Sequence, residues 1–295
     1  MNILITGASS GFGKLIVADL INAGHRVAGT VRDPEGRNAE PAAELKALGA
    51  QIIDIDVTDD ASVEAGVAEA EAALGSIEVL INNAGVGVHG LQENFSAADF
   101  QKVFDINVFG VQRMIRATLP GMRARGEGLI VNVSSLLGRV ALPFYGPYNA
   151  TKWALEAMSE NYRAELSQFG VDVAIVEPGA FPTEFHGNLL HPSSTDRNAG
   201  YGPLVDALNG ASQMMADVFA ANPQQSSSLV SEAIVEVVGA ATGTRPFRTE
   251  VDKIGMGDLI KPMNDQLSAT TKALFTNFGM GSMLELKVAS YEAAQ

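Results

Sequence analysis

Cysteine is absent from all 295 residues. Disulfides, a thiolate nucleophile and a zinc site built on sulfur are therefore excluded. Positive charge is scarce. Against 34 Asp and Glu stand 20 Lys and Arg, a formal net charge of −14 with a pI near 4.7. So acidic a surface argues against nucleic acid or an anionic membrane as partner, and suits solubility in a cytosol. No uncharged apolar run reaches the ~18 residues needed to span a bilayer. The first strand candidate opens at Asn2, which leaves no room for a signal peptide. The four histidines are scattered, and no acidic or histidine spacing suits a catalytic metal. Internal repeats and low-complexity linkers are missing too. The expectation is a soluble cytoplasmic protein that holds no metal.

Hydrophobic residues make up 46% of the chain, enough to bury a sizeable core, and the length suits one large α/β domain. Strand candidates at 2–6, 25–31, 51–55, 77–82, 128–134 and 171–177 alternate with helical stretches at 59–75, 98–125 and 148–168. That order predicts a doubly wound parallel sheet covered on both faces, with right-handed crossovers. Such a sheet takes its ligands at the carboxyl ends of the strands. From 181 to 222 the alternation breaks. This segment is rich in Gly, Pro, Ser and Asn, then turns helical through Leu204, Leu208, Met214, Met215 and Phe219. Past residue 245 come Pro246, Pro262, several glycines and one helical stretch near 265–278.

The strand from Asn2 to Thr6 runs directly into Gly7-Ala8-Ser9-Ser10-Gly11-Phe12-Gly13, and an amphipathic helix follows with Leu15, Ile16, Leu20 and Ile21 on its apolar side. A strand, a glycine-rich turn and a helix N-terminus make a phosphate cradle, because backbone N–H groups and the helix dipole face the anion. Farther on, Tyr148 and Lys152 stand one helical turn apart on the same face. A free tyrosine, with a pKa near ~10, is a poor acid or base at neutral pH. A neighbouring ammonium favours the phenolate and pulls that value down.

These regions together resemble the short-chain dehydrogenase/reductase family, in its shorter, non-extended branch. Thr6 to Gly13 fits that branch's Thr-Gly-x-x-x-Gly-x-Gly. Asn82-Asn83-Ala84-Gly85, Asn107, Ser134-Ser135, Tyr148-x-x-x-Lys152 and Pro178-Gly179 with Thr183 follow in the family's order. The resemblance covers residues 2 to about 240. It implies an α/β, Rossmann-type domain over 1–245 with a variable substrate lid at about 181–222. A C-terminal extension, 246–295, would belong to the same domain and could cap the pocket or pack on a neighbouring subunit.

The resemblance also implies roles. Tyr148 would be the general acid in carbonyl reduction and the base in alcohol oxidation. Lys152 would lower the Tyr148 pKa and hydrogen-bond the nicotinamide ribose. Ser135 would hold the substrate oxygen, since the family's spacing to the tyrosine selects it over Ser134. Asn107, placed mid-helix, would bind a water linking Lys152 to solvent. Gly7, Ser9, Ser10, Gly11, Phe12 and Gly13 would surround the phosphates. Asp56 and Val57 would meet the adenine, and Asn83, Ala84 and Gly85 would support the adenosine side. Pro178, Gly179 and Thr183 would lie by the nicotinamide.

An acid ending the second strand binds the ribose 2′-OH of NAD, whereas a nearby Arg accommodates the 2′-phosphate of NADP. Val31 takes the acid's place and Arg32 follows it. NADP(H) is therefore preferred, with NAD(H) as the alternative should Asp33 reach the ribose. The expected activity is an NADP(H)-dependent oxidoreductase interconverting a ketone or aldehyde and its alcohol. Leu137, Phe144, Tyr145 and Phe181 hint at an apolar substrate, and His89 and His186 at polar groups on the pocket rim. A homo-oligomer, dimer or tetramer, would assemble through the helices carrying Asn107 and Tyr148. The alternative is an NADP(H)-binding regulatory or scaffold protein without turnover. The intact Asn, Ser, Tyr, Lys set argues against that, and the glycine spacing disfavours a dehydratase or epimerase.

Overall fold

A computed structural model describes residues 1–288. Among them seven parallel strands form one sheet: β1 (Asn2–Ile5), β2 (Arg26–Thr30), β3 (Gln51–Ile53), β4 (Val79–Asn82), β5 (Gly128–Val133), β6 (Val171–Pro178) and β7 (Arg248–Val251). Their order is β3-β2-β1-β4-β5-β6-β7. The order reverses between β1 and β4, and a crevice opens there at the carboxyl ends. Period-two alternation sends successive side chains to opposite faces. Ile3 and Ile5 enter one apolar layer and Leu4 the other. Apolar runs such as Ile3-Leu4-Ile5 and Val79-Leu80-Ile81 form strands because both faces are covered.

The first layer packs α1 (Gly11–Asn22), α2 (Ala39–Ala47) and α8 (Ser228–Gly239) on the sheet. The second packs α3 (Asp60–Leu74), α5 (Gly110–Arg125) and α6 (Gly146–Leu166). Short α4 (Ala97–Phe104) opens with a capping box between Ser96 and Asp99. The continuous helix expected over 98–125 is interrupted by a π turn at Asp105–Phe109. The other expected helices appear as α3 and α6, within two residues of their anticipated ends.

Three elements went unread in the sequence: α2, α8 and β7. Strand β7 reads as Arg-Thr-Glu-Val and is only half buried until Val251, so it lacks the apolar run that marks its neighbours. It pairs with β6 through Ile175↔Arg248 to Pro178↔Val251. The sheet therefore continues past residue 245. The final helix, α9 (Met256–Asn277), starts nine residues before the helical stretch expected at 265–278. In the segment 181–222 the helical part is α7 (Leu204–Ala221). Among the described residues no helix is long and apolar enough to cross a membrane.

Candidate active site

The loops after β1, β4, β5 and β6 converge above the crevice. A polar chain inside the fold sets α6 at the right height. Asn82 Nδ2 donates to Asn132 Oδ1 at 2.9 Å, and Asn132 Nδ2 donates to Ser159 Oγ at 2.9 Å. Thus β4, β5 and α6 are registered by buried hydrogen bonds, which are costly to leave unmade. Pro147 occupies the first turn of α6, where a missing N–H costs nothing, and Tyr148 follows it.

Ser135, two residues past β5, has extended backbone and starts a short 3-10 turn at Leu136–Gly138. Its Oγ accepts from Leu137 N at 3.1 Å and donates weakly to Pro178 O at 3.4 Å. It also hydrogen-bonds the Tyr148 side chain. Lys152 Nζ donates to Val133 O at 2.9 Å and lies 5.6 Å from the centre of the Tyr148 ring. Ser135, Tyr148 and Lys152 are all buried and line one cavity of about 150 Å³.

Burial governs their protonation. It pushes the Tyr148 phenol up to about 12, although the Ser135 hydrogen bond pulls the other way. It pushes the Lys152 ammonium down to about 8, while the Glu156 carboxylate one turn on opposes the shift. The expectation was a Tyr148 pKa lowered by the Lys152 ammonium; the net shift is upward, and burial is its first cause.

Asn107 sits in the π turn, an irregularity common at functional positions. It is buried, and its side chain bridges two loops. Oδ1 accepts from Val86 N at 2.9 Å, while Nδ2 donates to Val86 O at 2.9 Å and to Thr151 Oγ1 at 3.1 Å. Thr151 in turn donates to the Tyr148 carbonyl at 2.7 Å. Asn107 thus connects the loop after β4 to the helical turn that carries Tyr148 and Lys152.

The neighbouring cleft, about 470 Å³, is lined by Gly7, Ser9, Ser10, Gly11, Phe12, Arg32, Asp56, Val57, Asn83, Ala84, Gly85 and Thr183. Pro178 and Gly179 line the adjoining reaction cavity instead. The two spaces meet at Phe12, Asn83, Gly85 and Thr183. The turn after β1 fits a dinucleotide. A Cβ on Gly13 would collide with the Gly7 carbonyl and lie 2.7 Å from the Asn83 amide. Gly7 has φ +70°, and a Cβ there would lie 2.8 Å from Ala84 Cα. Asn83 Nδ2 donates to both the Thr6 and Gly7 carbonyls at 3.0 Å, and Thr6 Oγ1 accepts from Asn83 N and Ala84 N. Helix α1 has no acid in its first turn and no side-chain cap, so its N–H groups suit an anion.

At the far end, Arg32 pairs with Asp56 at 3.4 Å. Burial raises the Asp56 carboxyl, but hydrogen bonds from Thr58 and the Arg32 charge hold it below the usual range. Asp33 turns away from the cleft. Its backbone is left-handed, at φ 53°, and its carboxylate accepts from Arg37 N at 3.1 Å, closing its own turn. Arg37 and Asn38 line the cleft beside Arg32. Neither was singled out in the sequence, because their position depends on that turn. Glu184 was missed as well. Its Oε2 accepts from Gly11 N at 3.2 Å, at the mouth of the cradle.

The segment after β6 is fastened across the crevice. Leu190 N donates to Gly87 O and His89 N to Leu190 O, each at 2.9 Å. His89 Nε2 is buried without a partner, and burial followed by the nearby His191 lowers its pKa. The His186 side chain lies outside the described residues. Among the described residues no group of three or more His, Asp or Glu is placed to hold a metal ion.

The chain's likeness to known proteins agrees with this geometry. A family model described as short chain dehydrogenase matches residues 1–193. Retinol dehydrogenase 8 of Homo sapiens is 36% identical over 254 residues, covering 83% of this chain and 78% of that protein. The 3-ketodihydrosphingosine reductase of Bacteroides thetaiotaomicron is 39% identical over 68% of this chain and 71% of its own length. A short-chain dehydrogenase/reductase of Burkholderia phymatum, solved in complex with NAD, superposes with a TM-score of 0.74 at 26% identity. That match covers 90% of this chain and 95% of that one.

Proposed function

The chain belongs to the short-chain dehydrogenase family, and on that footing we propose that it reduces an apolar ketone or aldehyde with NADP(H), Tyr148 supplying the proton. The observation that carries this reading is the meeting of two spaces. A dinucleotide cleft opens, at Phe12 and Thr183, onto an apolar cavity where Ser135, Tyr148 and Lys152 converge.

The nicotinamide, when bound, supplies the hydride. The protein's part is orientation and charge. A substrate oxygen between Ser135 and Tyr148 is held by two hydroxyls. Tyr148, its pKa raised by burial, carries its proton at neutral pH, the state that protonation of a carbonyl oxygen requires. Lys152, held on Val133 O, puts a positive charge beside the developing phenolate. Asn107 positions both through Thr151. Leu137, Leu142, Tyr145, Phe181 and Phe185 make the rest of the cavity apolar.

NADP(H) is favoured over NAD(H) because Arg32 and Arg37 line the distal cleft while Asp33 is committed to its own turn. The NAD complex of the Burkholderia protein shows that this fold also accepts the unphosphorylated cofactor. The protein acts in the cytoplasm as a homo-oligomer in this reading. Phe109 and Trp153, 50% and 48% exposed, leave apolar surface on the elements that carry Asn107 and Tyr148.

The test is a panel of aldehydes and ketones with NADPH or NADH, followed at the nicotinamide absorbance. Turnover that is faster with NADPH and lost in Tyr148→Phe is expected. Tight cofactor binding with no turnover across the panel would favour the binding-protein alternative.

A further inference from the structure

The reaction cavity does not end at the substrate carbonyl. Tyr145, Thr183 and Met215 line it, and the same three residues line a second, larger space of about 820 Å³. This groove runs between α1 and α7. On α7, Ala211, Met215 and Phe219 form a stripe at helical spacing, about 12 Å long at 1.5 Å per residue. Leu15 of α1, Leu48 and Leu189 face it. Leu15 and Leu48 are 37% and 47% exposed, so the groove leaves apolar side chains in water that an apolar occupant would cover.

The charged groups on the groove already have protein partners. Lys14 pairs with Glu44, and Glu184 accepts from Gly11 N. Neither calls for a charge on the ligand.

We propose that this groove holds the distal hydrocarbon chain of an elongated, uncharged substrate whose carbonyl lies at Ser135 and Tyr148. The claim rests on the reductase reading and names its substrate class: straight-chain aliphatic carbonyl compounds rather than compact ones. Continuity with the reaction cavity identifies the occupant. A chain leaving Tyr148 by way of Tyr145 and Met215 enters the groove directly.

The experiment is a homologous series of aldehydes, hexanal to tetradecanal, reduced with NADPH, with calorimetric binding of the matching alkanols in parallel. In the wild type, kcat/KM and alkanol affinity should climb by up to about fourfold per methylene until the groove is filled. Two variants attack opposite walls: Ser212→Trp narrows the groove from α7, and Leu15→Glu places a charge on α1. In each, the tetradecanal-to-hexanal ratio of kcat/KM should fall by roughly tenfold or more. A flat series in the wild type, or an unchanged ratio in both variants, overturns the groove and leaves the Tyr148 chemistry standing. Length-dependent alkanol binding that both variants weaken, with no aldehyde turned over, upholds the groove and removes the reductase reading. Neither turnover nor length-dependent binding overturns both.

Discussion

The turn after β1 and the loop after β6 face each other across the crevice, and they are held by different means. The first is held by backbone. Gly7 and Gly13 pack where no Cβ fits, and the Thr6 hydroxyl and Asn83 amide bind main-chain groups. The second shares backbone bonds through Leu190, but the strand that leads into it is held by charge from far along the chain. Arg248 Nε lies 2.9 Å from Glu156 and 3.3 Å from Glu177, and its Nη2 lies 2.5 Å from Glu160. Asn264 Nδ2 donates to Glu177 and Glu250, each at 2.7 Å. Glu177 immediately precedes Pro178-Gly179, so β7 and α9 together brace the floor of the reaction cavity. A site built on close backbone packing depends on a few local residues. A charge-built site depends on every partner.

The largest effect should come where the two halves meet. Tyr148→Phe removes only a hydroxyl. The fold and cofactor affinity should persist while turnover drops by roughly 100- to 10,000-fold. Rates and cofactor titration on the same sample check this. Activity near that of the wild type would strip Tyr148 of its role as proton donor.

Next in size is Arg248→Ala. It leaves the buried Glu156 and Glu177 without their guanidinium, which should cost about 3–5 kcal/mol of stability. Denaturant unfolding measures it. A loss no larger than that of an exposed ion pair would show that the second loop does not depend on its charges.

The difference between the regions also explains what was legible. Glycine spacing is local, so Gly7, Gly11 and Gly13 announce a phosphate turn from eight consecutive residues. Ser135, Tyr148 and Lys152 are legible for the same reason, being tied to one strand end and one helical turn. Nothing local marks Arg248, Asn264 or the strand they stabilise. Their partners are 14 to 92 residues away, and half-buried Arg-Thr-Glu-Val lacks strand-like hydrophobicity. The π turn at Asn107 was hidden because nothing in the composition of Asp105-Ile106-Asn107-Val108-Phe109 tells it from an ordinary helical turn. The protonation of Tyr148 was misjudged because the sequence names its charged neighbour but not its burial.

Cofactor choice tests the far end of the cleft, after β2. Arg32→Ala should weaken NADPH by about 10- to 100-fold, as a charge-assisted phosphate contact is lost, and leave NADH nearly unchanged. Titration of both cofactors decides. Equal losses for both would mean that Arg32 acts through Asp56, its partner at 3.4 Å.

A pH-dependent effect follows from Glu177. Burial, reinforced by the Glu156 carboxylate, raises its pKa from 4.5 to about 8. Over that interval the folded protein keeps a proton that the unfolded chain releases. The unfolded state binds fewer protons, so stability should fall as pH rises from about 4.5 to about 8 and level off above. Glu177→Gln should flatten this fall, as seen in unfolding free energy at several pH values. An identical slope in the variant would place the proton elsewhere in the cluster.

The smallest expected effect tests whether the two regions touch through the cofactor site. Glu184, from the loop after β6, accepts from Gly11 N at the N-terminus of α1. An incoming pyrophosphate would compete for that dipole end and be repelled by the carboxylate. Glu184→Gln keeps the shape and removes the charge. NADPH should then bind more tightly, but by no more than about fivefold, because the contact is exposed and surface charges are screened. The gain should shrink as salt is raised, since screening already weakens the repulsion in the wild type. Fluorescence titration at low and high ionic strength measures both. Weaker binding in Glu184→Gln would mean that the carboxylate supports the cradle rather than opposing its ligand.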